Sequence, residues 1–163
     1  MNNAEAQVRL LVKMTLSAWD SQNNYLKKHI NTLTDAQLAA EVAPGRNTGI
    51  YLVGHLVAVS DALFPLLGFG DKLYPEMEEI FIESPDKSGH TFPAAAVLKE
   101  RLDTVNERLV GFFSSMNEED WFSRHMAVSA EDFSNQPHRN KLNVVINRTG
   151  HLANHLGQLL LLK

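Results

Sequence analysis

The sequence contains no cysteine, and this absence removes three kinds of chemistry at once. Disulfide bonds, thiolate metal ligands and a cysteine nucleophile are all excluded, so any reactive thiol must come from outside the protein. Clusters of basic residues are missing as well. The 15 Lys and Arg residues stand against 19 Asp and Glu residues, giving a formal net charge of -4. Because no basic stripe is present to hold phosphates, we expect no nucleic-acid partner.

Long apolar runs are also scarce. The first residues, MNNAEAQVRLLVKM, place polar and charged side chains where a signal peptide needs an apolar run, and we expect no transmembrane segment elsewhere. The sequence therefore predicts a cytoplasmic protein that does not enter a membrane. With 163 residues and 44% hydrophobic content, the chain is long enough to form one domain around a hydrophobic core, and we expect residues 1–163 to be that domain.

Apolar residues recur at helical spacing in four segments, and no segment shows the alternation typical of a strand. Asn47 or Thr48 should cap the second helix, and Pro65 should kink or end it. A capping box, with Thr34 as the N-cap and Gln37 reaching back, is predicted to open a short helical turn at 34–37. Asn117 should cap another short turn at 117–121. The four long helices are expected at about residues 4–31, from the PGRNTG turn to Pro65, 92–116, and 140 to the C-terminus. This pattern predicts an all-α fold, a four-helix bundle.

The length of the connection at 71–91 determines the predicted directions of the helices. It is too long for a tight hairpin but long enough to run back along the bundle, so the second and third helices should be parallel. The expected arrangement is therefore up-down-down-up, with a long crossover between helices 2 and 3. In this arrangement the start of the second helix lies level with the end of the fourth.

Three histidines should meet at that level. His151 and His155 lie four residues apart in NRTGHLANHLGQLLLLK and therefore share one face of the last helix, while His55 lies two turns into the second helix. Three neutral imidazoles on two rigid helices form a ligand set for one divalent metal and leave a coordination position open for water. The alternative is that each is a hydrogen-bonded core residue, since seven histidines allow an accidental pair.

Four other residues are candidates for the same site. Gln158 could orient a ligand ring or a water, or could simply be solvated. Arg148, one turn before His151, could bind an anion or form a structural ion pair. Tyr25 and His29 should lie at the same end of the bundle, and these two residues and Arg148 are the candidates for substrate contacts. The remaining histidines fall in loops, where we expect them to be solvated, and Asp61 should lie too far down the bundle to take part.

Several segments resemble one known family. HLANHLGQ at 151–158 resembles the H-x-x-x-H-x-G-Q pattern that closes the last helix of DinB-like proteins, and TGIYLVGHLVAVSDALFPLLGFGDK is similar to the second helix of that superfamily. LTDAQLAAEVAPGRNTG and MNEEDW are similar to its connecting turns. The resemblance implies a four-helix bundle, a metal held by His55, His151 and His155, and a homodimer. It does not fix an activity, because the superfamily includes thiol-dependent transferases and isomerases beside many proteins of unknown function.

Two functions from different classes remain open. The first is a metal-dependent transferase or isomerase that acts with a low-molecular-weight thiol, which the open coordination position favours. The second is a non-catalytic metal-binding or stress-associated interaction protein, favoured because no acidic general base is predicted nearby. A carboxylate-bridged di-iron centre is disfavoured because no E-x-x-H pair occurs. Zinc, nickel, iron and manganese could all accept this ligand set, and no catalytic residue is assigned.

Overall fold

The computed structural model describes residues 3–162, and within that range the chain forms helices and no strand. The predicted all-α fold is confirmed. The helices, in chain order, are α1 Asn3–Ile30, α2 Asp35–Ala39, α3 Gly49–Asp61, α4 Leu63–Leu67, a π-helix at Glu79–Glu83, α5 Ala95–Ser115, α6 Glu118–Phe122, α7 Ala130–Asn135 and α8 Lys141–Leu159.

Side-chain caps fix several of the helix starts. At α2 the Thr34 hydroxyl accepts a hydrogen bond from the backbone N–H of Gln37, and the Gln37 side chain accepts one from the backbone N–H of Thr34. This is the predicted capping box. Thr48 caps α3, since its hydroxyl accepts from the backbone N–H of Tyr51. The boundary signals in the sequence therefore lie within a few residues of the observed helix ends.

Pro65 interrupts the apolar segment that begins at α3. Proline has no N–H to donate to the carbonyl of Asp61, so α3 ends there and a separate short helix, α4, carries the chain to Gly68. Contrary to the expectation from the sequence, residues 49–67 are long and apolar enough to cross a membrane. However, 72% of that window is buried against the rest of the fold, as in the core helix of a soluble protein.

The four longest helices contact one another in a ring. Helix α1 packs against α8 and α5, and α3 packs against α5 and α8. One continuous hydrophobic core lies between them. Helix α3 is the most deeply placed, because all of its residues except Ile50 and His55 are buried. A polar ring at position 55 is thus carried by a helix that is almost entirely buried, and such a ring needs a hydrogen-bond partner.

The connection at 71–91 is tied to the end of α3 by a buried carboxylate. Asp61 is 1% exposed, and its two oxygens accept hydrogen bonds of 2.8 Å from the backbone N–H groups of Leu73 and Tyr74. These charge-assisted bonds offset the cost of burying the carboxylate. The expectation that Asp61 would stand apart from the histidines fits this structural role.

Two helical elements are absent from the prediction. The π-helix lies inside the 71–91 connection, and α7 lies between α6 and α8. Both are too short to display helical periodicity in the sequence. The π-helix packs against α3 and buries Phe81 completely, so the connection contributes to the core.

Gly54 permits the close approach of the π-helix to α3. A Cβ atom at position 54 would lie 2.2 Å from the Phe81 ring, which no real contact allows. Because Phe81 is fully buried, its ring has no free space into which it could retreat. Glycine is therefore required at this position by packing, although it weakens a helix interior.

We predict that Gly54→Ala lowers the free energy of unfolding by about 1–3 kcal/mol, since it overpacks the contact between α3 and the π-helix. Gly111→Ala is the matched control, because position 111 lies inside α5 and has open space around it. That control should stabilise the protein by about 0.5–1 kcal/mol through helix propensity. Urea denaturation measures both. Equal effects of the two substitutions would contradict the packing explanation.

Candidate metal centre

The structure brings His55 of α3 together with His151 and His155 of α8. The Nε2 atom of His151 lies 3.3 Å from Nε2 of His55 and 3.1 Å from Nε2 of His155. Two nitrogens bound to one ion at about 2.0–2.1 Å with a tetrahedral angle would lie about 3.3 Å apart. Two of the three spacings therefore match a ligand set for a single ion, and one nitrogen of each ring lies within 4.8 Å of the others, so the group could hold a metal ion.

The proton on His55 can be placed from its hydrogen bond. Its Nδ1 atom lies 2.7 Å from the carbonyl oxygen of Phe81, and a carbonyl only accepts, so Nδ1 donates. In the neutral ring the Nε2 atom then carries a lone pair directed at the other two histidines. A backbone carbonyl that holds the distal nitrogen in this way is a common partner of metal-binding histidines.

The other two rings lack such partners among residues 3–162. The Nδ1 atoms of His151 and His155 are buried and have no hydrogen-bond partner there. A single N–H on His151 could point at only one of its two neighbours, so hydrogen bonds within the cluster cannot satisfy all three Nε2 atoms. One cation at the centre would satisfy the three lone pairs together. The residues present thus fit a divalent metal.

The surroundings keep all three rings neutral. The pKa of His151 is lowered to about 4, mainly by burial and in addition by the nearby His155, His55 and Arg148. Burial also lowers the pKa of His55, although the Phe81 carbonyl opposes this effect, and it lowers the pKa of His155. Neutral imidazole is the form that binds metal, so no proton has to be displaced at neutral pH.

Tyr51 orients the His55 ring. This residue is not among the candidates predicted from the sequence. Its ring stacks on His55 with centroids 6.4 Å apart and planes 13° apart, and its hydroxyl donates to the carbonyl of Ser84 at 2.8 Å. Tyr51 precedes His55 by one helical turn, so the i, i+4 spacing was the signal available in the sequence. The ring of His55 is therefore held by Tyr51 on its face and by Phe81 at its edge.

Arg148 lies close enough to the three histidines for its charge to affect the pKa of two of them. Its charge lowers the pKa of both His55 and His151, and its own pKa is lowered by burial. Among the residues that the structure describes, its guanidinium forms no ion pair. The alternative that Arg148 is a structural ion-pair partner is therefore not supported, and an unpaired cation stands beside the histidines.

A cavity of about 520 Å³ opens beside His155. Gln158 and Leu161 line it together with His155, and the remaining lining comes from the turn at residues 42–47. Gln158 also opposes the lowering of the His155 pKa, which places its amide next to that ring. A small molecule in this cavity would contact one ring of the candidate metal centre directly.

The structure does not bring Tyr25 and His29 to the cluster. Tyr25 is 53% exposed and lines a surface groove formed by α1 residues alone. His29 donates from Nε2 to the carbonyl of Leu159 at 3.0 Å, which satisfies a carbonyl at the end of α8. The His29 ring therefore bonds to the backbone at the end of α8 and not to the histidine cluster.

The other histidines differ in exposure. His138 is exposed, as expected for a loop residue. His90 is partly buried and lies 3.0 Å from the Ser84 hydroxyl, and His125 is partly buried with a buried Nδ1 atom. The expectation that all loop histidines are solvated is therefore wrong for these two, because loop segments here pack against the helices.

The lowered pKa values predict how the metal-free protein responds to acid. An unfolded histidine titrates near about 6.5, whereas His151 in the fold titrates at about 4, so the unfolded chain binds more protons between these values. Stability is therefore present above about pH 6.5 and is lost as pH falls toward about 4. Because the ring is partly exposed, solvent screening should limit the loss due to His151 to about 1–2 kcal/mol.

Urea denaturation in the presence of a chelator, repeated across this pH range, tests that expectation. His151→Asn should flatten the dependence of stability on pH, while His138→Asn, which removes an exposed histidine, should keep it. Identical pH dependence in wild type and His151→Asn would show that burial does not hold this ring neutral.

Comparisons with known proteins identify the family and a similar fold. The family model of the DinB superfamily matches residues 18–159, a range that includes all three histidines. The fold is similar to the crystal structure of a conserved protein from Enterococcus faecalis, with a TM-score of 0.56 and 16% identity over 91% of this chain and 96% of that chain. Identity this low shows the fold alone. No curated protein matches the sequence significantly. The chain belongs to the DinB superfamily.

Proposed function

We propose that the protein binds one divalent metal through His55, His151 and His155, with at least one coordination position left open. The observation that supports the proposal most strongly is the convergence of the three Nε2 atoms at 3.1 and 3.3 Å. Three nitrogen ligands leave room for a further ligand in a tetrahedral site. Membership of the DinB superfamily is compatible with this assignment. Zinc, nickel, iron and manganese are all candidates for the ion.

We further propose that the site works as a transferase or isomerase that uses a low-molecular-weight thiol. A divalent metal supplies the means of lowering the pKa of a bound thiol, so that the thiolate becomes available at neutral pH. The chain itself has no cysteine, so the thiol is a co-substrate. Gln158 is placed to position a group next to His155, and Arg148 provides an uncompensated positive charge near His151. Both roles are consistent with binding an anion beside the ion.

A non-catalytic metal-binding protein is the second candidate, and one observation favours it. None of the residues that line the cavity beside His155 is a carboxylate that could act as a general base. In this alternative the ion would act as a structural clip between α3 and α8, or would serve an interaction with another protein in a stress response.

Several features stay predictions from the sequence and are proposed with the function. They are the up-down-down-up directions of the four long helices, a single domain over residues 1–163, a homodimer, a cytoplasmic location, and the absence of a nucleic-acid or membrane partner. Substrate contacts by Tyr25 and His29 also stay predictions, and they would require a ligand that extends well beyond the histidines, since Tyr25 lines a separate groove.

The first functional prediction concerns metal content and its dependence on pH. Elemental analysis of gently purified protein should find about one divalent ion per chain, and metal addition should raise the melting temperature. Because the rings are already neutral in the metal-free fold, protons should compete with the ion only below an unperturbed histidine pKa. The gain in melting temperature should therefore persist at about pH 7 and shrink as pH falls from about 6 to about 4.

Two variants distinguish the loss of a metal-ligating histidine from the loss of a histidine elsewhere. His155→Ala should abolish the metal-dependent gain, whereas His138→Ala, which removes an exposed histidine, should keep it. The assignment of the three ligands is wrong if both variants retain equal gains or if the gain is unchanged at acid pH.

The second functional prediction separates the two candidate functions. Metal-loaded protein should consume a thiol in the presence of a reactive electrophile faster than buffer does, and faster than metal-loaded His155→Ala. Loss of free thiol across a panel of small thiols is the measurement. Rates equal to buffer across the whole panel, in protein that holds its metal, would favour the non-catalytic function.

A further inference from the structure

An arginine lines the same cavity as His155 and comes from a different part of the chain. Arg46 belongs to the turn at residues 42–47, and the lining of the cavity contains this one formal cation and no carboxylate. In the sequence, this turn is recognisable only as the connection before α3. The structure places it beside the candidate metal centre.

The backbone of the turn is fixed by its own hydrogen bonds. The N–H of Arg46 donates to the carbonyl of Ala43 at 2.9 Å, and Gly45 adopts a φ of +74° after Pro44. Proline followed by a glycine with positive φ is the signature of a type II turn, in which the fourth residue is Arg46. The N–H of Val42 also donates to the carbonyl of Asn47, so the arginine is held on a closed, rigid turn.

The acidic residues that contact this turn are already engaged with other groups. Glu41 accepts a hydrogen bond from the N–H of Gly45 at 2.6 Å and pairs with Lys87, whose side chain holds the pKa of Glu41 below its usual value. Asp86 accepts from the N–H of Thr48 at 2.6 Å. The guanidinium of Arg46 is exposed and makes no ion pair or hydrogen bond with residues 3–162. Its charge is therefore available to a ligand.

We propose that Arg46 is the specificity-determining residue of this cavity and selects small ligands that carry a carboxylate, with the rest of the ligand reaching the His55, His151 and His155 cluster. A guanidinium can bind a carboxylate through two parallel hydrogen bonds, which favours an anion over a neutral group of the same size. The inference rests on the proposed function and adds the charge of the co-substrate to it: the thiol is anionic at the end remote from sulfur.

The charge of the whole site supports an anionic ligand. The three candidate metal ligands are neutral imidazoles, so a divalent ion would keep its full charge, and Arg148 stands unpaired near His151. None of the residues lining the cavity supplies a negative charge that would offset these. A cavity of about 520 Å³ is within the range that holds small ligands.

Isothermal titration calorimetry on metal-loaded protein tests the proposal with two thiols that differ in the remote group. 3-Mercaptopropionate carries a carboxylate, and 2-mercaptoethanol carries a neutral hydroxyl. Wild type should bind 3-mercaptopropionate roughly tenfold more tightly than 2-mercaptoethanol, the effect expected of one charge-assisted contact at a partly solvated site. Arg46→Gln should reduce this ratio toward one without changing the metal content, and Arg46→Lys should retain part of it.

Arg108→Gln is the matched control, because Arg108 is an exposed arginine of α5 that does not line the cavity. It should keep the wild-type ratio. Equal binding of the two thiols by wild type, or an unchanged ratio in Arg46→Gln, overturns the role of Arg46 and leaves the proposed function standing. Binding of neither thiol by protein that holds its metal overturns both the thiol-dependent function and this inference.

Discussion

The hydrogen bond from His55 to the carbonyl of Phe81 is the interaction on which the candidate metal centre depends. It places the proton of the neutral ring on Nδ1 and thereby directs the Nε2 lone pair toward α8. The carbonyl is available because the π-helix lies directly against α3, and that approach requires Gly54. A packing constraint in the core thus determines which nitrogen of the ring can bind a metal.

The same arrangement explains why an apolar helix can carry a polar ring. Nearly all of α3 is buried, so His55 would be costly without partners on both nitrogens. The carbonyl of Phe81 accepts a hydrogen bond from Nδ1 of His55. The Nε2 atom of His55 faces the nitrogens of the two histidine rings of α8. Burial then keeps all three imidazoles neutral, and the nearby Arg148 lowers the pKa of His55 and His151 further. The three rings therefore bind protons poorly and stay in the neutral form, which is the form that can bind a metal ion.

The family match covers both the candidate metal centre and the 42–47 turn that lines the cavity. The histidines lie on α3 and α8, within the region that matches the DinB superfamily, and the solved structure from Enterococcus faecalis shares the fold at 16% identity. The cavity beside His155 is lined by residues at the end of α8 and by the 42–47 turn, which is a connection between helices. Short connections can change without disturbing the core, so ligand preference must be read from this chain itself.

The sequence by itself determined the helical fold, the cap at Thr34, a cap at Asn47 or Thr48, the break before Pro65, and the histidines of α8 that share one face. These features follow from spacing along the chain, which obeys the helical period. Tertiary structure alone decided which groups from distant segments meet: Phe81 with His55, and Arg46 with His155. It also placed Tyr25 on a separate surface and gave His29 to the end of α8. Contacts between segments depend on how the helices pack and where short connections lie, and no local pattern of residues records that.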